Sequence, residues 1–205
     1  MNKVVLLGPP GSGKGTQGAK LAEKLNVPLV VLGDILRAAV REKTVAGIKA
    51  ESFMSRGALV PDAIVVAIAK EHLEKLSGFV LDGYPRTIEQ AKALEQAAKI
   101  DRVFYFAVPE DMIIGRLSGR RSCSKCGAVY HLISKPTKVA GLCDACGDKL
   151  IIRNDDQEVV IRNRFAAYHK QTEPLVAYYE GQGILTRIDA AQDIAAVEAD
   201  LLAKV

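Results

Sequence analysis

The stretch Gly8-Pro-Pro-Gly-Ser-Gly-Lys-Gly-Thr16 follows directly on the apolar run at residues 4–7. A strand that leads into a glycine-rich turn with one lysine, and then into a helix, is typical of a polyphosphate site, because backbone N–H groups and the helix N-terminus face the anion. Glycine lets the backbone approach the phosphates, since a Cβ would obstruct it. The alternative is a glycine-rich turn without a ligand, but the lysine and the hydroxyl both favour a phosphate loop.

The end of this motif departs from the general pattern. Gly8-x4-Gly13-Lys14 matches a phosphate loop, but Gly15 stands where Ser or Thr is usual, and the hydroxyl comes one residue later, at Thr16. The loop therefore predicts a nucleotide polyphosphate ligand. Its Lys-Gly-Thr ending indicates a particular subclass of phosphate-loop proteins, which the other motifs of the chain help to identify.

Composition is that of a globular enzyme. The 205 residues are 49% hydrophobic and 25% charged, with a net charge of +4, which suits anionic substrates but is too small to indicate nucleic acid. No apolar stretch reaches the roughly 18 residues of a membrane span, and the N-terminal apolar run is too short for a signal peptide. We therefore expect a cytoplasmic protein with no membrane partner.

Apolar runs alternate with helical patterns along the chain. Strands are predicted at 3–7, 78–81, 102–108 and 183–188, with a fifth at 28–32, and helices at 13–25, 64–76, 88–99, 109–117, 157–180 and 193–204. This alternation predicts an α/β fold with a five-stranded parallel sheet covered on both faces. Residues 31–60 and 119–156 break the rhythm, so we expect a core of 1–30, 61–118 and 157–205 that carries two inserts.

Four cysteines lie in the second insert. Cys123-x2-Cys126 and Cys143-x2-Cys146 are each followed by a glycine, and two such turns can supply four thiolates to one tetrahedral Zn²⁺. A closed set of four ligands leaves no position for water, so the spacing predicts a structural zinc rather than a catalytic one. Free thiols or disulfides are the alternative, and His131 is a possible competing ligand.

Arginines and one aspartate surround these motifs. Arg37, Arg86, Arg120, Arg153 and Arg164 lie in contexts typical of loops or insert borders, and guanidinium groups bind phosphate in a bidentate manner. Asp82 ends an apolar run, where an acid beside a phosphate loop can hold Mg²⁺ together with Thr16.

These motifs, taken in order, resemble the adenylate kinase family of nucleoside monophosphate kinases over essentially the full chain. The matching stretches are residues 8–16, Gly33-Asp34-x2-Arg37, 59–62, Asp82-Gly83-Tyr84-Pro85-Arg86-Thr87, 119–121, and Arg153-x-Asp155-Asp156 with Arg162-x-Arg164. The cysteines resemble the zinc-bearing lid of the long bacterial form. The resemblance implies a P-loop core, a helical monophosphate-binding insert at 31–60 and a lid at 119–156.

The resemblance also implies an activity and a set of site residues. The activity is reversible, Mg²⁺-dependent in-line transfer between ATP and AMP, giving two ADP, with lid closure and a monomeric enzyme. The implied catalytic residues are Lys14, Arg86, Arg120, Arg153 and Arg164. The implied ATP site comprises Gly11, Ser12, Gly13, Lys14, Gly15, Thr16, Arg120, Val129, Tyr130 and Gln192. The implied AMP site comprises Leu32, Arg37, Ala58, Leu59, Val60, Gly83, Tyr84, Pro85, Arg86, Gln90, Arg153 and Arg164, with Gln90 at the adenine edge.

One departure from the family keeps an alternative open. Leu32 stands where the family usually has Ser or Thr, so a hydroxyl at the AMP site is missing and a kinase for UMP or CMP is the first alternative. A zinc-ribbon module that binds nucleotide or nucleic acid without turnover is the second, although the basic and aromatic residues near the cysteines are few. We also expect a cis bond between Tyr84 and Pro85, because it would place Arg86 in a tight turn.

Overall fold

A computed structural model describes residues 2–205. Nine α-helices and eight strands occur in the described residues, in the chain order β1 (Lys3–Leu7), α1 (Lys14–Leu25), β2 (Leu29–Val31), α2 (Leu32–Arg41), α3 (Val45–Met54), α4 (Asp62–Leu73), β3 (Phe79–Asp82), α5 (Ile88–Ala97), β4 (Arg102–Ala107), α6 (Glu110–Ser118), β5 (Arg120–Cys123), β6 (Val129–His131), β7 (Leu150–Ile151), α7 (Glu158–Ala167), α8 (Pro174–Gly181), β8 (Leu185–Asp189) and α9 (Ile194–Ala203). The main sheet has five parallel strands in the order β2-β3-β1-β4-β8.

The sheet is buried on both faces, as the apolar runs predict. Val5 and Leu7 pack on one face with residues of α2, α4, α5 and α8. Val4 and Leu6 pack on the other face with residues of α1 and α9. Successive side chains of a strand point to opposite faces, so a continuous apolar strand needs a helical layer on each side. The five predicted strands and the α/β class are confirmed, and the ends of the strands differ from the predicted ones by at most two residues.

The helix predicted at 157–180 is interrupted. It forms as α7 and α8 with a π-helical turn, Tyr168–Thr172, between them. Pro174 has no N–H to donate to the preceding turn, and the backbone widens so that Glu173 N donates to Tyr168 O. The widened turn brings the Thr172 hydroxyl to 2.9 Å from the carbonyl oxygen of Arg86.

Residues 31–60 form two helices. Thr44 caps α3 by accepting from Gly47 N at 3.0 Å. Gly47 lies so close to α2 that a Cβ there would be 2.0 Å from the Ala39 oxygen.

Residues 119–156 contain the second sheet. Its strands β6-β5-β7 are antiparallel, with Arg120 opposite His131 and Cys123 opposite Leu150. The sequence reasoning predicted no strands here, because each is only two to four residues long and carries polar or cysteine side chains. Within residues 2–205, no helix combines the length and apolarity needed to cross a membrane.

Candidate active site

The glycine-rich loop joins β1 to α1 at the carboxyl edge of the main sheet. Gly8, Gly11 and Gly13 all have positive φ, at 147°, 81° and 93°. Gly11 also lies against α6, and a Cβ there would be 2.6 Å from Ile113 Cγ2. The loop therefore needs glycine at position 11 both for its conformation and for its packing.

Lys14 begins α1 and folds back over the loop. Its Nζ donates to the carbonyl oxygens of Gly8 and Pro9 at 2.7 and 2.8 Å, and to Ser12 Oγ at 3.1 Å. Burial lowers the pKa of Lys14 to about 8; Asp82 opposes this shift, while nearby arginines add to it. A bound polyphosphate would supply the negative charge that favours the protonated lysine.

Asp82 is the last residue of β3, which places it beside the loop. It pairs in register with Leu6 of β1, and a Cβ on Gly15 would be 3.4 Å from its Oδ2. Burial raises the pKa of Asp82, although Lys14 and Arg86 act in the opposite direction. An oxygen donor at this position fits Mg²⁺, which takes few protein ligands and keeps waters and phosphate oxygens.

A cavity of about 960 Å³ opens from the loop towards the second sheet. Eight lysines and arginines line it, namely Lys14, Arg37, Arg86, Arg116, Arg120, Lys135, Arg153 and Arg164. Burial lowers the pKa of Arg153 and of Arg164 to about 10 each, and neighbouring arginines add to both shifts. So many guanidinium groups in one cavity fit a ligand with several negative charges.

Acidic partners hold these arginines in place. Arg120 donates to Asp156 from Nε at 2.7 Å, and Arg164 Nη1 lies 3.0 Å from Asp155 Oδ2. Arg37 pairs with Asp34 three residues away. These acids were missed as functional residues, although Asp34, Asp155 and Asp156 all lie in the motifs that carry the family resemblance.

Two ion pairs connect the segments 31–60 and 119–156. Arg153 Nη2 lies 3.8 Å from Asp34 Oδ1, and Arg37 Nη1 lies 3.9 Å from Asp155 Oδ2. The two segments thus meet over the cavity through residues that also line it or adjoin it.

A smaller cavity adjoins the first. Its walls combine apolar side chains with three arginines and two further polar side chains; it is lined by Leu32, Gly33, Leu36, Arg37, Met54, Gly57, Ala58, Leu59, Val60, Val65, Gly83, Arg86, Gln90, Asp155 and Arg164. Leu32 is 1% exposed and packs in the core. This slot, with apolar side chains and guanidinium groups together in its walls, suits a ligand that joins a base to a phosphate.

Gln90 is buried in this wall with its amide already bonded. Nε2 donates to Asp62 Oδ1 at 2.7 Å, and Oε1 accepts from Arg86 N at 2.8 Å. The Tyr84–Pro85 bond is cis, as the sequence predicts. Tyr84 lines neither cavity; its side chain is buried and donates to Gln90 O at 3.1 Å.

All the residues assigned from sequence to the ATP side line the large cavity, including Val129, Tyr130 and Gln192. Arg116, His131 and Lys135 line it as well and were missed as cavity residues. His131 Nδ1 accepts from Ile133 N and Ser134 N, both at 3.1 Å, and its Nε2 is buried without a partner among the described residues. Strand β6 places His131 in the cavity wall. A single histidine in the sequence gives no pattern from which that position could be predicted.

The four cysteines come together at the end of the second sheet. Their Sγ atoms all lie within 4.8 Å of one another, with Cys123 and Cys146 at 3.4 Å and Cys126 and Cys143 at 3.6 Å. These separations exceed the roughly 2 Å of a disulfide bond and approach the roughly 3.8 Å edge of a tetrahedral Zn–S4 site. The predicted metal cluster is confirmed as a cluster of ligands, and His131 is not a member of it.

Tyr130 links the cysteines to the large cavity. Its hydroxyl lies 3.4 Å from Cys143 Sγ and accepts from Asp144 N at 3.0 Å. Its hydrogen bond lowers the pKa of the Cys143 thiol to about 6, which favours the thiolate that a metal requires. Lys135 Nζ lies 5.4 Å from the centre of the Tyr130 ring.

A phosphate loop on a parallel sheet, an arginine-lined cavity over it and a smaller adjoining cavity with three arginines together fit a P-loop kinase of the nucleoside monophosphate class. Comparison with known proteins shows which family of this class the chain matches. Residues 6–184 match the family model described as adenylate kinase.

Full-length relatives agree with that match. The chain is 46% identical over 198 residues to an adenylate kinase of Lachnospira eligens, with 93% of each chain covered. It is 47% identical over 210 residues to one from Geobacter sp. (98% of each), and 48% identical over 208 residues to one from Syntrophotalea carbinolica (98% of this chain, 96% of the relative). The chain belongs to the adenylate kinase family.

Proposed function

We propose that this chain catalyses the reversible, Mg²⁺-dependent transfer of a phosphoryl group from ATP to AMP, giving two ADP. The observation that carries the proposal is the arginine-lined cavity that begins at the phosphate loop and adjoins the slot between α2 and α4. Two anionic ligands bound there would meet at the arginines, as a transfer between nucleotides requires.

The donor nucleotide binds along the loop. Lys14 and the backbone N–H groups of residues 11–16 bind the β- and γ-phosphates, and Arg120 and Arg153 neutralise the charge that develops on the transferred group. Val129, Tyr130 and Gln192 form the wall on the base side. Phosphoryl transfer needs position and charge neutralisation more than a side-chain nucleophile, so no general base is required.

The acceptor binds in the slot. Arg37, Arg86 and Arg164 hold its phosphate; Leu32, Leu59 and Val60 wall its base; Gln90 contacts the base edge. The polar contacts of Gln90 in the ligand-free protein use one hydrogen-bonding position on each amide atom, so one position on each remains for the base.

Asp82 and Thr16 would hold Mg²⁺ near the phosphate loop, where the ion would offset the negative charge of the phosphates. Zn²⁺ would be held by the four thiolates and stabilises the segment 119–156, which buries too few apolar residues to fold by itself. Segment 31–60 acts as the monophosphate insert and 119–156 as the lid on a core of the remaining residues. Closure of both over the cavity excludes water and so limits ATP hydrolysis. We expect the chain to act as a monomer in the cytoplasm.

A coupled assay with ATP and each nucleoside monophosphate, with and without Mg²⁺, tests the proposal. We expect AMP to be the preferred acceptor, and activity to be lost without Mg²⁺ and in Lys14→Ala and Arg86→Ala. A preference for UMP or CMP would assign the slot to another base. Unchanged transfer in both variants would remove these residues from the catalytic set, and tight salt-dependent DNA binding without turnover would favour the nucleic-acid alternative.

A further inference from the structure

The side-chain amide of Gln90 is anchored at both of its polar atoms. Asp62, the first residue of α4, accepts from Nε2 at 2.7 Å, and the backbone N–H of Arg86 donates to Oε1 at 2.8 Å. Gln90 itself is 1% exposed, so water does not compete for these bonds. The anchors come from two different elements that the fold brings to the same wall of the slot.

These anchors permit only one orientation of the amide. A carboxylate only accepts hydrogen bonds and a backbone N–H only donates them. In the flipped amide, Oε1 would face the Asp62 carboxylate and Nε2 would face the Arg86 N–H, which leaves both anchors unsatisfied in a buried place. Thr87 holds the carboxylate in turn, because its hydroxyl donates to Asp62 Oδ2 at 3.0 Å.

The orientation of a glutamine amide decides which purine edge it can pair with. A 6-aminopurine presents an amino donor beside the N1 acceptor, whereas a 6-oxopurine presents an oxygen acceptor beside an N1–H donor. An amide that pairs with one of these edges through both atoms must turn over to pair with the other. A fixed amide therefore discriminates between them, and a freely rotating one does not.

We infer that Asp62 is a specificity-determining residue, which positions the Gln90 amide so that the slot accepts 6-aminopurine monophosphates and rejects 6-oxopurine monophosphates. The inference rests on the proposed function, in which Gln90 contacts the base of the acceptor nucleotide. Asp62 touches no substrate in this scheme and acts through Gln90.

The test compares AMP with IMP as acceptors in the variant Asp62→Asn. An asparagine amide can either accept from or donate to Gln90, so only the Arg86 N–H still favours the original orientation and the flipped amide becomes less costly. We expect the ratio of kcat/KM for AMP to that for IMP to fall by about tenfold or more, which is the scale of one bidentate base contact. The KM for ATP should not change. Glu89→Gln is the matched control, because Glu89 is an exposed acid next to Gln90 in the chain and should leave the ratio unchanged.

Two further measurements distinguish a failure of the proposed acceptor site from a failure of the role inferred for Asp62. If Gln90→Ala keeps the wild-type AMP-to-IMP ratio, Gln90 does not read the base and the proposed acceptor site is wrong. If Gln90→Ala abolishes the preference while folded Asp62→Asn retains it, the role of Asp62 alone is overturned. If Asp62→Asn does not fold, the inference can still be tested in the wild-type protein. We expect an NMR scalar coupling between Gln90 Nε2 and Asp62 Cγ across their hydrogen bond. Absence of this coupling would contradict the inference.

Discussion

The carboxylate of Asp156 has no exposed side-chain surface and accepts two hydrogen bonds from the guanidinium group of Arg120, 36 residues earlier in the chain. Arg164 Nη1 lies 3.4 Å from the same carboxylate. One buried acid thus holds two of the arginines that line the large cavity, so we expect both stability and phosphoryl transfer to depend on it.

Asp156→Ala is therefore expected to be costly. It leaves Arg120 and Arg164 largely buried with less negative charge beside them, and loss of one partner of a buried pair typically costs about 3–5 kcal/mol. We expect the free energy of unfolding in urea to fall by about 3 kcal/mol, and kcat to fall as well. Glu158→Ala is the control, since it breaks the exposed pair with Arg162 and should change stability by less than about 1 kcal/mol. Equal losses in the two variants would contradict this account.

The affinity for ATP should weaken as the pH rises above about 8. Burial lowers the pKa of Lys14 to about 8, so before ATP binds the lysine is mostly charged below pH 8 and mostly neutral above it. Bound phosphate raises the pKa again, and ATP binding must then take up a proton. Calorimetry in two buffers of different ionisation enthalpy should detect this uptake between pH 8 and 9.5.

Lys14→Arg gives the matched control for that pH dependence. Arginine keeps its charge throughout this range, so the variant should bind ATP with little change in affinity from pH 8 to 9.5. A flat affinity in the wild-type protein over the same range would show that Lys14 stays protonated without ligand.

Removal of the metal should destabilise the protein more than it slows the folded enzyme. Four thiolates would close the coordination of one metal ion with no open position, so we propose that the metal contributes to folding rather than to chemistry. Each kcal/mol of lost stability should lower the thermal midpoint by about 2–4 °C in a chain of this size. Calorimetry before and after chelation, with turnover measured well below the midpoint, checks this; an unchanged midpoint with full metal loss would refute a structural role.

Substitution by alanine should destabilise the protein to different extents at two glycines of the phosphate loop. Gly11 and Gly13 both have positive φ, so alanine at either position costs about 1–2 kcal/mol of backbone strain. Alanine at 11 would also lie 2.6 Å from Ile113 Cγ2, whereas alanine at 13 would have no atom within 4 Å. We expect Gly11→Ala to lose clearly more unfolding free energy than Gly13→Ala. Similar losses would mean that α6 moves aside at little cost.

Local patterns of sequence predicted much of the fold. Strands β1, β3 and β4 can be predicted from their own segments alone, because a strand buried on both faces must be apolar throughout. The phosphate loop and the Cys-x2-Cys pairs are similarly local, since the ligand groups lie within a few residues of one another. The π-helical turn before Pro174 and the short strands β5–β7 were not predicted, because their stability comes from contacts outside their own segments.

The sequence by itself determined the layered α/β core, the phosphate loop at residues 8–16, the four metal-binding thiols and the family to which the motifs belong. Only the tertiary structure decided how these parts act on one another. It paired Arg120 with Asp156 and Arg37 with Asp34 and Asp155, placed His131 in the cavity wall and Tyr84 outside it, and fixed the Gln90 amide between Asp62 and Arg86. The physical reason is that a side chain's protonation, orientation and partners depend on groups brought together by folding, and sequence spacing does not encode those distances.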